Sequence, residues 1–489
     1  IAEDVIERAC GAIAARLGGG GGAAGTVVVF NAGSHPRTDL VVLDPSLLPG
    51  AALEAGTSLT AEGPGGSLDV SAVQELADGQ LGFLASVPGC GWARYALVPS
   101  GEPAAAGRHG SGASVGADGQ GFRLSNGTLT AHIDPDGTIS ALVDHRSGRQ
   151  LITPGTHGNV FQLHQDLPND TDAWDVDQGT FARAVELRRA ESIEVVESGP
   201  VRAAVRVVHA FGSSRLTQDI RLTAGSSRLE FATDVEWGER HRFLKVAFPL
   251  AVRAASASFE VQFGYVERPT HANTSWDAAR FEVPAQRWAD LSEPGCGAAL
   301  LNDCKYGYDV RGSVMRLSLL RGPTWPDPEA DLGSHRFSYA LMAHDGLASS
   351  LRRAGSVTEE AEAFNLHLRP VPLDGLSGES GESTEPRWPS RASIVEVDKA
   401  MVSSLKRADN GDEIVARVYE PAGSHTRMSL RLGGALPVRI VAAARADALE
   451  RELADVAVDA EGVLELDLRP FELVTLKLST EPAAGARND

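Results

Sequence analysis

Thr26-Val-Val-Val-Phe30 is the stretch on which the fold class turns. Four β-branched residues followed by an aromatic one, in a run too short for a helix, read as a strand. Asn31, Gly33 and Pro36 close it before Val41-Val-Leu43 opens another. Toward the carboxyl end the same style persists, at Thr128 to Ile133, Ile139 to Val143, Ile193 to Val196, Val201 to Val208, Leu216 to Leu222 and Phe259 to Phe263. Turn signals such as Asp136-Gly137 and Ala224-Gly225 separate these runs. A parallel sheet would need crossovers of roughly ten residues or more, so the pattern predicts a mainly β, multi-domain chain of β-sandwiches. Toward the amino end, Ile1, Val5, Ile6, Ala9, Ile13 and Leu17 recur at helical spacing until the glycine run Gly18 to Gly22. That helix begins in mid-pattern, so the chain is expected to be a fragment with a short N-terminal helical remnant.

The 489 residues, 43% hydrophobic and 22% charged, supply material for about three domains. Pro99 to Gly121 is rich in Gly, Ala and Ser, and Leu373 to Pro389 contains Gly378-Glu-Ser-Gly-Glu-Ser383. Neither composition can cover a core, so both read as linkers. The expected division is a helical remnant over 1–24, a small β-sandwich over 25–105, a large one over 120–372 and a terminal β domain over 390–480. A formal charge of -20 argues against nucleic acid and anionic membranes, which select clustered Lys and Arg, and leaves neutral ligands such as sugars unopposed. The four cysteines, Cys10, Cys90, Cys296 and Cys304, form no CxxC pair, so neither a disulfide framework nor a thiolate zinc site is expected and a reducing, cytoplasmic compartment is. No apolar run approaches the roughly 18 residues that cross a bilayer, and the opening lacks a secretory pattern.

Chemistry-bearing residues concentrate in two places. Between Asp166 and Asp177, five aspartates (Asp166, Asp170, Asp172, Asp175, Asp177) surround Trp174. An indole face against a sugar's CH groups, with carboxylates accepting hydroxyl protons beside it, is a sugar-contacting arrangement; a hydrated acidic loop around a core tryptophan has the same composition. The second place is Arg321 with Trp325, Asp327, Asp331 and His335, punctuated by Pro323, Pro326 and Pro328. Three prolines suppress strand pairing and mark an ordered loop, in which Arg321 either holds a carboxylate or donates to a sugar hydroxyl. Lys305 and Tyr306 belong to the same class. His271, His335 and His344 lack metal-site spacing, so no metal is expected on this chain; His241, beside Trp237, reads as a strand-end histidine. No P-loop is present.

Several segments, in order, resemble the region after the catalytic barrel in glycoside hydrolase family 38, the zinc-dependent retaining α-mannosidases. They are Val27-Val-Val-Phe-Asn31, Leu124-Ser-Asn-Gly-Thr-Leu129, Gly158-Asn-Val-Phe-Gln-Leu163, Asp166-Leu-Pro168, Asp172-Ala-Trp-Asp175, Phe243-Leu-Lys-Val-Ala-Phe-Pro249, Phe263 to His271 with Thr274-Ser-Trp-Asp277, Lys305-Tyr-Gly-Tyr-Asp309, and Leu320-Arg-Gly-Pro323 with Asp331-Leu-Gly333 and His335. The resemblance implies that 1–24 remains from a linking helical bundle and that the large sandwich has the sugar-mutarotase superfold. It places the nucleophile and zinc in an N-terminal barrel of the same enzyme, so this chain should carry no catalytic residue and bind no zinc. It makes Asp166, Asp172, Trp174 and Asp175 contacts to an α-mannoside, with Lys305, Tyr306 and Arg321 as further candidates. The barrel is the implied protein partner, and a second copy of the chain in a homo-oligomer is a further candidate. A non-catalytic carbohydrate-binding module and a mutarotase-like enzyme with its own site remain the alternatives.

Overall fold

The computed structural model describes residues 2–17, 25–47, 58–63, 70–100, 112–346, 356–373 and 388–482. The glycine run, residues 101–111 of the first expected linker and most of the second lie outside the described residues. The chain forms two compact units, one of Ile1–Arg108, Phe263–Tyr265 and Leu366–Asp489, the other of His109–Gln262 and Val266–Asn365.

In the first unit, Thr26–Asn31 is a strand as expected, paired antiparallel with Gly91–Ser100 on one side and with Arg369–Pro372 on the other. Residues 369–372, which the sequence division puts at the end of the large sandwich, thus complete the sheet begun by residue 26. A three-stranded sheet of Arg37–Leu43, Leu81–Val87 and Gln74–Glu75 accompanies it. Val27, Val29, Val41, Phe83, Tyr95 and Leu97 belong to one buried cluster. Helix Ala2–Arg16 follows the predicted span; Ala14, with Leu17 just beyond, packs in a cluster with Val28 and Trp92. The carboxyl-terminal strands form a three-stranded and a five-stranded antiparallel sheet, between Val395 and Pro482, with their own apolar core.

The second unit is built on a nine-stranded sheet, running from Ser192–Ser198 through Arg228–Trp237 and Gly333–His344 to Gly264–Pro269, and a six-stranded sheet. The six-stranded sheet orders Ala184–Glu186, Val160–Gln165, Arg242–Pro249, Val314–Arg321, Gly307–Arg311 and Val283–Pro284. A five-stranded sheet between Ser114 and Gln150 completes the unit. Two expectations differ locally. The strand expected at Phe259 to Phe263 ends at Val261, and Phe263 turns the chain with a positive φ of 63°. Helix Val357–Asn365 was not read from sequence, although its buried Val357, Ala361 and Phe364 stand at i, i+4 and i+7.

Period-two alternation gives the six-stranded sheet two different faces. Phe161, Leu244, Val246, Phe248 and Leu317 are buried on one face, and Phe248 meets Phe231 and Tyr339 of the nine-stranded sheet. Polar groups inside this core satisfy one another. The Tyr339 hydroxyl donates to Asn159 Oδ1 at 2.7 Å and accepts from Gln218 Nε2 at 2.8 Å, while Asn159 Nδ2 donates to Gln218 Oε1 at 2.7 Å. The opposite face carries Gln162, His164, Lys245, Asp309, Arg316 and Ser318. Lys245 is fully buried there, its ammonium 2.5 Å from both Glu282 and Asp309 and 4.4 Å from the Phe181 ring centre.

Tyr339→Phe is expected to leave Asn159 Oδ1 without its donor and to cost about 1–3 kcal/mol, seen by calorimetry as a melting transition lowered by roughly 2–10 °C. Lys245→Met should cost more, about 3–5 kcal/mol, because two carboxylates lose their buried counter-charge. Adding Glu282→Gln and Asp309→Asn should then recover much of that loss.

Candidate functional site

Two loops leave the same end of the six-stranded sheet. Asp166 follows strand Val160–Gln165, and Arg321 ends strand Val314–Arg321, with Arg242–Pro249 between them. The buried Asp166 carboxylate accepts from Arg321 Nε at 2.5 Å and from Nη2 at 3.1 Å. The guanidinium lies 5.6 Å from the ring centre of Phe243 on the intervening strand. Arg321 Nη2 also donates to the Asp175 carbonyl, so one arginine holds both the start and the crest of the acidic loop. A bidentate guanidinium–carboxylate pair fixes orientation as well as distance.

Asp172 makes the second clasp. Its carboxylate accepts from Thr324 N at 2.6 Å, Thr324 Oγ1 at 3.0 Å and Trp325 N at 2.9 Å. Partial burial acts to raise the Asp172 pKa, and the hydrogen bonds from Thr324 and Trp325 outweigh it, so the net shift is downward. The clasp is therefore present above the ordinary aspartate range and is lost as pH falls through the depressed value. Thr171, with a positive φ of 46°, turns the loop, and its carbonyl accepts from Trp174 N at 2.8 Å. Trp174 and Trp325, held by opposite sides of the clasp, meet edge to face at 5.4 Å and remain 65% and 56% exposed. Buried aromatic pairs are ordinary, whereas two indoles held rigid and left open form a surface suited to the apolar face of a ring.

Beside the clasp is a cavity of about 280 Å3 lined by Phe243, Lys305, Ser318, Arg321, Asp331 and His335, among others. Lys305 is fixed through its main chain, its N–H donating to Asn302 Oδ1 at 2.7 Å, and its ammonium sits 4.6 Å from the Phe337 ring centre. Burial pushes the Lys305 pKa down, with Cys304, Asp303 and Asp331 opposing. Asp331 has a positive φ of 61°, and its carbonyl accepts from His335 Nε2 at 2.7 Å. Tyr306 follows Lys305 in sequence and is half exposed; it does not line the cavity.

The structure thus brings Asp166, Asp172, Trp174, Asp175 and Arg321 into one clasp and sets Lys305 on the cavity that Arg321 borders. The carboxylates of Asp166 and Asp172 are taken up by the protein, whereas Trp174 stays open and the exposed Asp175 carboxylate accepts from Thr171 Oγ1 at 3.1 Å. Thr324, Phe243 and Phe337 were missed; Thr324 acts through its amide and hydroxyl, which leave no mark in the sequence, but the apolar run around Phe243 was a visible signal. Among the described residues no three His, Cys, Asp or Glu side chains converge as metal ligands. His271 lies 3.6 Å from Asp277 and His344 2.8 Å from Asp290, in separate places. These residues do not fit a zinc ion.

Two family models match the chain, the glycosyl hydrolases family 38 C-terminal domain over residues 124–329 and the family 38 C-terminal beta sandwich domain over residues 399–476. The first match includes every residue of the two clasps. Alpha-mannosidase 2C1 of Homo sapiens is 41% identical over 365 residues, which cover 73% of this chain and 34% of that protein. Alpha-mannosidase G of Dictyostelium discoideum is 33% identical over 371 residues, covering 72% and 32%. The chain spans about a third of the length of these curated relatives. An alpha-mannosidase from Enterococcus faecalis V583 shares the fold with a TM-score of 0.70 at 16% identity, over 93% of this chain and 56% of that one. By these matches, and by the antiparallel sheets that carry them, the chain belongs to glycoside hydrolase family 38 and contains that family's C-terminal β domains.

Proposed function

We propose that this chain is the C-terminal part of a retaining α-mannosidase acting on terminal α-D-mannosides. The observation that carries the proposal is the clasped pair of loops, which presents Trp174 and Trp325 as a rigid open surface beside a polar cavity. Retaining cleavage uses two carboxyl groups about 5 Å apart, one attacking the anomeric carbon and one protonating the departing oxygen. Asp166 and Asp172 are occupied by Arg321 and by the Thr324–Trp325 amides, so the reacting carboxylates belong to an N-terminal barrel of the same enzyme. That barrel also holds a zinc ion, which would order the sugar's hydroxyls.

In this reading Asp166, Asp172 and Arg321 are positioning residues. Trp174 stacks on a sugar face, the Asp175 carboxylate accepts from a hydroxyl, and Lys305 with Tyr306 extends the contact surface. Burial in a water-poor cleft strengthens each such contact. The four cysteines are all thiols, which supports a reducing compartment; no helix among the described residues is long and apolar enough to cross a membrane.

The test is hydrolysis of a chromogenic α-mannoside. The purified chain should be inactive, and adding the N-terminal barrel region with zinc should restore turnover; turnover by this chain alone would overturn the reading. In the restored enzyme, Asp172→Ala should release the loop and lower kcat/KM by roughly 10- to 100-fold, the scale expected when a positioned contact shifts by about 1 Å. Asp172→Asn, which keeps an acceptor oxygen, should lose less.

A further inference from the structure

Asparagine followed by glycine occurs twice in the chain, at Asn126-Gly127 and at Asn410-Gly411. The dipeptide is labile, because a glycine amide nitrogen, unhindered by a neighbouring Cβ, can reach the side-chain carbonyl of the asparagine before it. The fold treats the two copies differently. Asn126 is buried and its amide is fully committed. Nδ2 donates to the Thr223 carbonyl at 2.6 Å and the Ser226 carbonyl at 2.8 Å, while Oδ1 accepts from Thr128 N at 3.0 Å and Leu129 N at 2.8 Å. Turning that side chain toward Gly127 N would break four buried hydrogen bonds.

Asn410 has none of this protection. It lies in the exposed turn Asp409-Asn-Gly-Asp412, between strands Met401–Arg407 and Ile414–Tyr419. The turn is anchored at its ends. Ala408 N donates to the Glu413 carbonyl and Asp409 N to Glu450 Oε2, both at 2.8 Å, and the carboxylates of Asp409 and Asp412 pair with Lys406 and Arg407. Between these anchors, neither the Asn410 side chain nor the Gly411 N–H has a hydrogen-bond partner among the described residues. Gly411 has a positive φ of 108°, and Glu413 Oε2 lies 2.1 Å from the point that a Cβ on Gly411 would occupy. Only glycine leaves room for that carboxylate. Glu413 Oε2 is buried and accepts no hydrogen bond among the described residues, while Oε1 faces Lys477 Nζ at 3.7 Å. An acceptor without a donor is thus packed against the residue whose amide has no acceptor.

We infer that Asn410 is a site of self-modification, in which Gly411 N attacks the Asn410 side-chain carbonyl carbon and Glu413 acts as the base. The N–Cγ bond forms and the Cγ–Nδ2 bond breaks. The Gly411 amide proton passes through Glu413 to the departing nitrogen, so ammonia leaves and the carboxylate is regenerated. Water then opens the five-membered imide at either carbonyl and yields aspartate or isoaspartate. Nucleophile and electrophile are neighbours in the chain, so the reaction needs a rotamer change and no encounter. Either product sets a new carboxylate between those of Asp409 and Asp412, and isoaspartate also lengthens the main chain by a carbon. None of this rests on the mannosidase reading.

The experiment is incubation of the full 489-residue chain in mildly alkaline buffer, followed by peptide mapping with mass spectrometry that separates asparagine, imide, aspartate and isoaspartate. In the folded chain position 410 should convert and Asn126 should not; in urea both should convert at similar rates. Position 410 as stable as Asn126 in the folded chain would overturn the site, and Asn126 converting as fast as Asn410 would overturn the protection ascribed to its four bonds. Glu413→Gln should slow conversion in the folded chain about 100-fold, the low end for a positioned general base, and leave the rate in urea unchanged. Equal folded rates would overturn the role of Glu413, as would equal slowing in urea. Asn410→Gln, with its longer side chain, should stay unmodified, and melting curves establish that each variant is folded.

Discussion

The Arg321–Asp166 pair is the constraint on which the candidate site depends. Both residues sit where a strand of the six-stranded sheet becomes a loop, one strand apart, so the sheet itself sets their separation. A guanidinium in contact with a buried carboxylate is held by two parallel hydrogen bonds and by the ring of Phe243 beneath it. Desolvating such a pair is costly, and its net contribution to stability is accordingly modest. What it contributes is geometry. Every further contact between the two loops, from the Asp172 amide bonds to the crossed indoles, is made by residues whose starting point this pair has already fixed.

The same sheet explains why the loops rest on a rigid base. Its inner face interdigitates with the nine-stranded sheet through aromatic rings and a closed set of amide and hydroxyl bonds. Its outer face carries ions, and these are matched as well: the Lys245 ammonium faces two carboxylates, and Arg316 meets Asp309 at 2.8 Å. His164 Nδ1 donates to the Arg183 carbonyl at 3.0 Å, tying down the far end of the acidic loop, while burial lowers the pKa of that imidazole. A loop anchored at both ends by buried polar contacts loses little further freedom when it meets a ligand.

Much of this fold is legible in the sequence because β-branched runs and turn residues report local geometry directly. Thr26–Asn31 and Arg202–Phe211 lie where those runs are. Phe263 is harder, since a large aromatic in the left-handed region is chosen by its surroundings rather than by its own propensity. The candidate site divides along the same line. Its acidic loop stands out by composition, and Arg321 by the prolines that follow it. That Arg321 holds Asp166, 155 positions away, is a matter of strand order, which no local pattern carries. Nor does composition distinguish an aspartate that faces a ligand from one, such as Asp172, whose oxygens are already taken by amides.

The pairing of Thr26–Asn31 with Arg369–Pro372 bears on how the chain can be made. A ribosome delivers the first of these strands roughly 340 residues before the second, an interval of roughly 20–70 s at about 5–20 residues per second. Throughout that interval one edge of a valine-rich strand has its native neighbour still unsynthesised, and such an edge is a template for foreign strands. The intervening His109–Asn365 segment, which contains the whole second unit, must therefore emerge while that first sheet is incomplete. Nascent chains of this protein are thus exposed to misassembly during translation in a way that the finished molecule is not, and a holdase that shields the early strand would act within that window.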